Sequence, residues 1–216
     1  MSLPDHEALR KLLAAGITEL GLALDDGQID KMMAYLELLS KWNAVYNLTS
    51  IRKPLDMVRA HVLDSLSAVP AFVGADKVLD VGSGGGLPGM ILAIAYPQIQ
   101  VAMIDTVHKK TAFLNQAKTE LGLSNVTVHT GRVEQLALPG AFDVITSRAF
   151  SELCNFINWS GHLLAPGGQL IAMKGVAPAQ EIEALPEGWQ VSGVRALTVP
   201  GLDAERHLVF VQRTAV

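Results

Sequence analysis

The sequence predicts an α/β protein: a mostly parallel sheet with helices on both faces, an antiparallel hairpin at its edge and a helical N-terminal extension. Three observations carry this. Beyond Pro70, short apolar runs alternate with helical segments, as in βαβ units. The glycine-rich stretch VLDVGSGGGLPG, residues 78–89, joins a strand-like run to a helix. Before Pro70, apolar residues recur at helical spacing. The chain has 216 residues, 50% of them hydrophobic, which suits one compact unit with a sizeable core. The expected division is an extension over 1–72 and a core over 73–216, together one unit.

The elements follow in order. Leu9, Leu12, Leu13, Ile17 and Leu20 mark a first helix. Ile29, Met32, Met33, Leu36, Leu38 and Leu39 mark a second, after the polar start Asp25-Asp26. WNAVYNLTSI, residues 42–51, is aromatic and amide-rich and reads as a helix end running into a loop. Pro54 favours a new helix, whose apolar face is Val58, Val62, Leu63 and Leu66. Strands are expected at 78–81, 101–104, 126–129, 144–146 and 170–173, with helices at 88–95 and about 108–121. Residues 189–199 and 207–212 read as two strands of an edge hairpin.

Several classes are excluded or disfavoured. One cysteine, Cys154, leaves no intramolecular disulfide and fits a reducing cytoplasm. The opening residues, with Pro4, Asp5 and Glu7, do not read as a signal peptide, and no apolar run is long enough to cross a bilayer. The six histidines are scattered, so no metal site is expected. A net charge of −4, taken alone, argues against a nucleic-acid partner.

The glycines point to a small ligand. Gly82, Gly84 and Gly86 form GxGxG, and Gly84, Gly86 and Gly89 form GxGxxG, between a strand and a helix. There, glycine permits a tight turn and close approach of a ligand to the backbone. Asp105 ends the next strand, about twenty residues on, where an acid can hold ribose hydroxyls. Asp80 precedes the loop. A carboxylate is awkward beside a pyrophosphate but is attracted to the ammonium and sulfonium of S-adenosylmethionine. It can equally cap loop amides. After the third strand, Gly131, Arg132, Val133 and Glu134 are placed to flank an adenine, or to form a solvated turn.

Taken together, WNAVYNLTSI, HVLDS, LDVGSGGGLPG, RVEQL, ITSRAF, MKG and ERHL, in this order, closely resemble the RsmG/GidB family of bacterial small-subunit ribosomal RNA methyltransferases. The resemblance runs from about Trp42 to Leu208. It implies a class I Rossmann-like S-adenosylmethionine methyltransferase fold with a seven-stranded sheet. It also implies methyl transfer to guanine N7 in the decoding-centre loop of 16S ribosomal RNA. By motif, Gly82, Leu87, Val133, Glu134 and Arg148 are donor-site positions, and Arg132 lies near the donor. Arg148 and Arg206 would face the RNA or its target base.

The chemistry agrees with that resemblance. Guanine N7 carries a lone pair and no proton, so its attack on a sulfonium methyl needs no general base, and catalysis is mainly alignment. Cytosine C5 transfer needs a cysteine nucleophile, and Cys154 sits in the apolar helical stretch ELCNFINW. Cations can form a basic rim despite the net charge: Lys41, Arg52, Lys53 and Arg59 cluster, while Lys109, Lys110, Arg132, Arg148, Lys174 and Arg206 follow core strands. Of these, Arg52, Lys53, Arg59, Lys174 and Arg206 are the candidate RNA contacts. Trp42 and Tyr46 either stack on bases or pack the extension on the core. Asn47, His61 and Asp64 are either functional groups or polar anchors. The expectation is a cytoplasmic monomer acting on 16S ribosomal RNA within the 30S subunit or its precursor, with neither DNA nor membrane as partner. The rivals are a donor-binding assembly or regulatory factor and an NAD-type oxidoreductase. The latter lacks a catalytic His or Tyr–Lys set.

Overall fold

In the computed structural model, which describes residues 6–149 and 152–214, a group of helices precedes and then packs against one sheet. Helix α1 (His6–Glu19) buries Leu9, Leu13 and Ile17. Its Gly16 lies so close to Leu63 that a Cβ there would stand 2.6 Å from a leucine methyl. Helix α2 (Asp26–Tyr46) starts at Asp25 with a reciprocal capping box to Gln28, so both exposed backbone donors are paired. It ends at Asn47, whose φ of 51° is left-handed. Residues 54–68 are continuously helical. They comprise α3 (Pro54–Met57), a π-helical turn (Val58–Leu63) and α4 (Asp64–Ala68).

The sheet has seven strands: β1 (Lys77–Val81), β2 (Gln100–Asp105), β3 (Val126–Thr130), β4 (Phe142–Arg148), β5 (Leu164–Lys174), β6 (Trp189–Ala196) and β7 (His207–Arg213). Their order is β3-β2-β1-β4-β5-β7-β6. The first five are parallel, and β7 runs antiparallel between β5 and β6. Helices α5 (Gly89–Ala95) and α6 (His108–Glu120) link β1, β2 and β3, while α7 (Leu153–Ser160) and the short α8 (Ala179–Glu183) flank β5 in the chain.

The central strands read as near-continuous apolar runs because both faces are covered. Val78, Val101 and Met103 face a cluster shared with α1, α2, α5 and α6, whereas Leu79, Val81 and Ile145 face a smaller cluster with α7. The first cluster extends from Leu9 to Leu208, so the extension and the core share one interior.

Several element limits differ from the sequence reading: β4 is longer than 144–146 and β6 ends at Ala196, short of 199. Strand β5 starts at Leu164 because the Pro166-Gly167-Gly168 stretch, which reads as a turn, is absorbed by a register shift opposite Phe142 and Val144. Pro88 stands at the N-cap of α5 and is not its first residue.

Candidate functional site

The strand order reverses between β1 and β4, and ligands of open α/β sheets bind at the strand carboxyl ends near such a reversal. Two cavities open there. The first, about 320 Å³, is lined by Gly82, Asp105, Lys110, Arg132, Val133 and Glu134 among others. The backbone of the glycine loop is held from below. Gly82 and Ser83 donate their N–H groups to the Ile104 carbonyl. The Asp105 carboxylate accepts from the Gly84 and Val107 amides, at 3.0 and 2.9 Å. The oxygen that accepts from Gly84 also faces Lys110 Nζ at 3.5 Å, so it is the other oxygen, bonded to Val107 alone, that retains acceptor capacity. The extension holds the loop as well. Tyr35 of α2, fully buried, donates its hydroxyl to the Gly85 carbonyl. Burial pushes that phenol well above its usual range, so it stays protonated as a donor.

Five of the donor-site expectations, Gly82, Asp105, Arg132, Val133 and Glu134, therefore meet at one cavity. The others lie elsewhere. Asp80 is completely buried beneath the loop and accepts from the Gly89 amide at the start of α5, at 3.0 Å. This is the capping role, and the carboxylate does not line the cavity. Its second oxygen has no hydrogen-bond partner, and burial raises its pKa to about 7. Gly84 supports the loop through Asp105. Gly86, at φ +89°, turns inward: a Cβ there would stand 2.6 Å from Met90 and 2.7 Å from Leu114. Close packing against two helices and the left-handed backbone both demand glycine at that position. Leu87 is buried. Arg148 points into the second cavity.

That second cavity, about 330 Å³, includes Thr49, His61, Asp64, Arg148, Lys174 and Arg206 in its wall. Asp64 is 2% exposed and bridges two arginines. Arg148 donates to one carboxylate oxygen at 3.0 Å, and Arg206 donates to the other at 2.7 Å. Arg148 also donates to the Ala60 carbonyl, in the π-helical turn. Such turns recur where a helix must re-aim a side chain at a functional site. Ala149, just after Arg148, has φ +56°, a left-handed conformation that costs a non-glycine residue energy. Phe150 and Ser151 follow it and lie outside the described residues, as do Met1–Asp5 and residues 215–216.

His61 is held on both sides. Its Nδ1 faces the Ala60 carbonyl, which can only accept, so Nδ1 carries the proton and Nε2 accepts from the Thr49 hydroxyl. Burial, with Arg148 nearby, lowers its pKa to about 4. The amide-rich loop is fixed in the same way. Buried Asn43 accepts from the Thr49 amide and donates to the Ile51 carbonyl.

The expected RNA cations divide. Arg206 and Lys174 line the second cavity, but Lys174 is ion-paired to Glu181 at 2.8 Å. Arg52 is exposed and tied to the Asn47 side chain at 2.6 Å. Lys53 is exposed at the start of α3. Arg59, half-buried, packs against Gly201, between β6 and β7, with its Nε buried and without a hydrogen-bond partner. Trp42 packs edge-on against Phe113 of α6 at 5.7 Å, which is the packing role. Cys154 lines neither cavity and its Sγ accepts from Asn158. The sequence reading missed Trp159 of α7, which lines the first cavity, because an apolar face at helical spacing hides an aromatic turned the other way.

The segments quoted from the sequence sort by cavity. Residues of WNAVYNLTSI, HVLDS, ITSRAF, MKG and ERHL meet in the second, and those of LDVGSGGGLPG and RVEQL meet in the first. Known proteins group the chain accordingly. Residues 28–209 match the family described as rRNA small subunit methyltransferase G. The ribosomal RNA small subunit methyltransferase G of Janthinobacterium sp. (strain Marseille) is 61% identical, covering 98% of each chain. That of Cupriavidus pinatubonensis is 56% identical over 97% of this chain and 96% of its own. Among solved structures, the O-methyltransferase TomG from Streptomyces achromogenes superposes with a TM-score of 0.60 at 14% identity, over 99% of this chain and all of its own. TrmN from Thermus thermophilus gives 0.53 at 21% identity, over 70% of this chain and 48% of its own. These structures share the fold. With the sequence relatives matching end to end and the family's segments converging on two cavities, the chain belongs to the rRNA small subunit methyltransferase G family.

Proposed function

We propose that the protein transfers a methyl group from S-adenosylmethionine to guanine N7 in the decoding-centre loop of 16S ribosomal RNA. Its substrate would be the 30S subunit or its precursor, and it would act in the cytoplasm as a monomer. The observation that carries this reading is the convergence of five separated segments on the cationic second cavity, beside the first cavity built on the glycine loop. They open at neighbouring strands, since β1 pairs with β4 and the Ser147 hydroxyl donates to the Val81 carbonyl at 2.8 Å.

S-adenosylmethionine, when bound, supplies a methyl on a positively charged sulfur. The first cavity suits it by size and donor set: small-molecule sites span roughly 300–1,000 Å³. On this reading Asp105 would accept from ribose hydroxyls, and Val133 and Glu134 would flank the adenine, which their shared place in the first cavity supports. Arg148 and Arg206, both in the wall of the second cavity, would donate to guanine O6 or to phosphate through planar forks. No proton has to leave the N7 lone pair. His61 accords with that, being neutral at pH 7 with its basic nitrogen bonded to Thr49. Alignment of the two partners carries the rate, and an oriented pair gains roughly 7–11 kcal/mol over free collision.

The test uses labelled S-adenosylmethionine and 30S particles from a strain lacking the activity. Aniline cleavage then maps N7-methylguanosine. A single cleavage in the decoding-centre loop is the expected result. Tight donor binding without transfer would favour a donor-binding assembly factor.

A further inference from the structure

We infer that Asp64 is the positioning residue of the acceptor cavity: it holds the Arg148 and Arg206 guanidiniums side by side and presents them to the RNA. The inference rests on the reading of that cavity as the acceptor site. Asp64 sits where the π-helical turn gives way to α4. Arg148 comes from the end of β4 and Arg206 from the residue before β7, separated from Asp64 by 84 and 142 positions. Only the fold brings them together.

The burial is graded. The carboxylate side chain is 2% exposed, whereas Arg148 is 21% and Arg206 26% exposed. The anion therefore stands behind and the cations stand in front, facing the cavity. An ion cluster that served only to glue elements together would gain nothing from keeping its cations on a cavity wall.

Each arginine engages Asp64 through one edge of its guanidinium, Arg148 through Nη1 and Arg206 through Nε. Arginine has five N–H donors in a rigid fork, so fixing one edge fixes the direction of the others. Two guanidiniums would otherwise repel. One carboxylate between them lets both stay, and leaves a net positive charge for an anionic partner. The Ala60 and Glu205 carbonyls complete the clamp, accepting from Arg148 and Arg206 respectively.

Asp64→Asn keeps the shape, removes the charge and turns an amide donor toward one of the arginines. Single-turnover transfer on undermethylated 30S particles should fall about tenfold or more, since one misdirected charged hydrogen bond suffices for a decade in rate. Donor Kd, measured by calorimetry, should stay within about twofold. In the Arg206→Ala background, the same change should cost much less, because half of what Asp64 positions is gone. Asp64→Glu restores the charge and should recover part of the rate. Wild-type turnover in Asp64→Asn overturns the inference. So does an equal loss in the Arg206→Ala background, a parallel fall in donor affinity, or an Asp64→Glu rate no better than that of Asn. If the wild-type protein binds donor yet methylates no particle, the reading of the cavity fails first, and the inference fails with it.

Discussion

Asp80 and His61 are buried ionisable residues with opposite consequences for stability. The Asp80 pKa is raised by burial from 3.8 to about 7. Between those values the folded state keeps a proton that the unfolded state has released, so stability falls as pH rises through the window. The His61 pKa is lowered from 6.5 to about 4 by burial and by Arg148. There the unfolded state binds the extra proton, and stability rises with pH between those values. The slopes oppose each other where they overlap. Asp80→Asn removes one of them, so its Tm should gain on the wild type as pH is raised from about 5 to about 8. A difference in Tm that does not change with pH would show Asp80 ionising normally. Asp80 also illustrates what residue chemistry leaves undecided: an acid before a glycine loop suits a sulfonium or a loop amide equally, and only burial chooses. Gly86 makes the same point, since its neighbours Met90 and Leu114 come from two helices that the loop motif does not mention.

Among the elements, α2 does more than cover the sheet. Tyr35 reaches the glycine loop, Gln28 donates to the Ile94 and Ala95 carbonyls at the end of α5, and Asn43 shapes the loop that walls the second cavity. Tyr35→Phe leaves the Gly85 carbonyl without its partner and should lower stability by about 1–3 kcal/mol. Donor affinity should weaken with it, while RNA binding should hold. Denaturant melts and calorimetry check this, and unchanged donor affinity would detach α2 from the loop.

Most elements were legible in the sequence because their apolar spacing is regular: the helices of the extension, the strands from β1 to β3 and the edge hairpin all follow it. The exceptions have physical causes. The π-helical turn lies within an apolar pattern that an α-helix fits equally well, and α8 is too short for periodicity to register. The cavity of Arg148 and Arg206 follows from tertiary pairing. Its parts were visible as separate segments, but the shared carboxylate of Asp64 was not.

For the molecule as a whole, a net charge of −4 coexists with a cationic cavity because the acids lie elsewhere or are already paired. Overall attraction to a polyanion is then weak, and local cations must supply it. Arg52 and Lys53, exposed just after Ile51 in the wall of the second cavity, should act through salt-dependent attraction. Replacing both with alanine should weaken particle binding. It should also make log K against log salt shallower by about one and a half to two, with donor affinity unchanged. An unaltered slope would place these residues outside the RNA footprint.

The position of β7 has a further consequence, for biosynthesis. β5 and β6 do not pair with each other: each hydrogen-bonds to β7, which the ribosome makes after both. A nascent chain lacking β7 therefore presents two unsatisfied strand edges, and one lacking Arg206 has an unfinished cationic wall. Edges left open in this way invite pairing with other chains. Until β7 emerges, the cavity of Arg148 and Arg206 lacks one wall while the edges that would pair with β7 stand open to other chains.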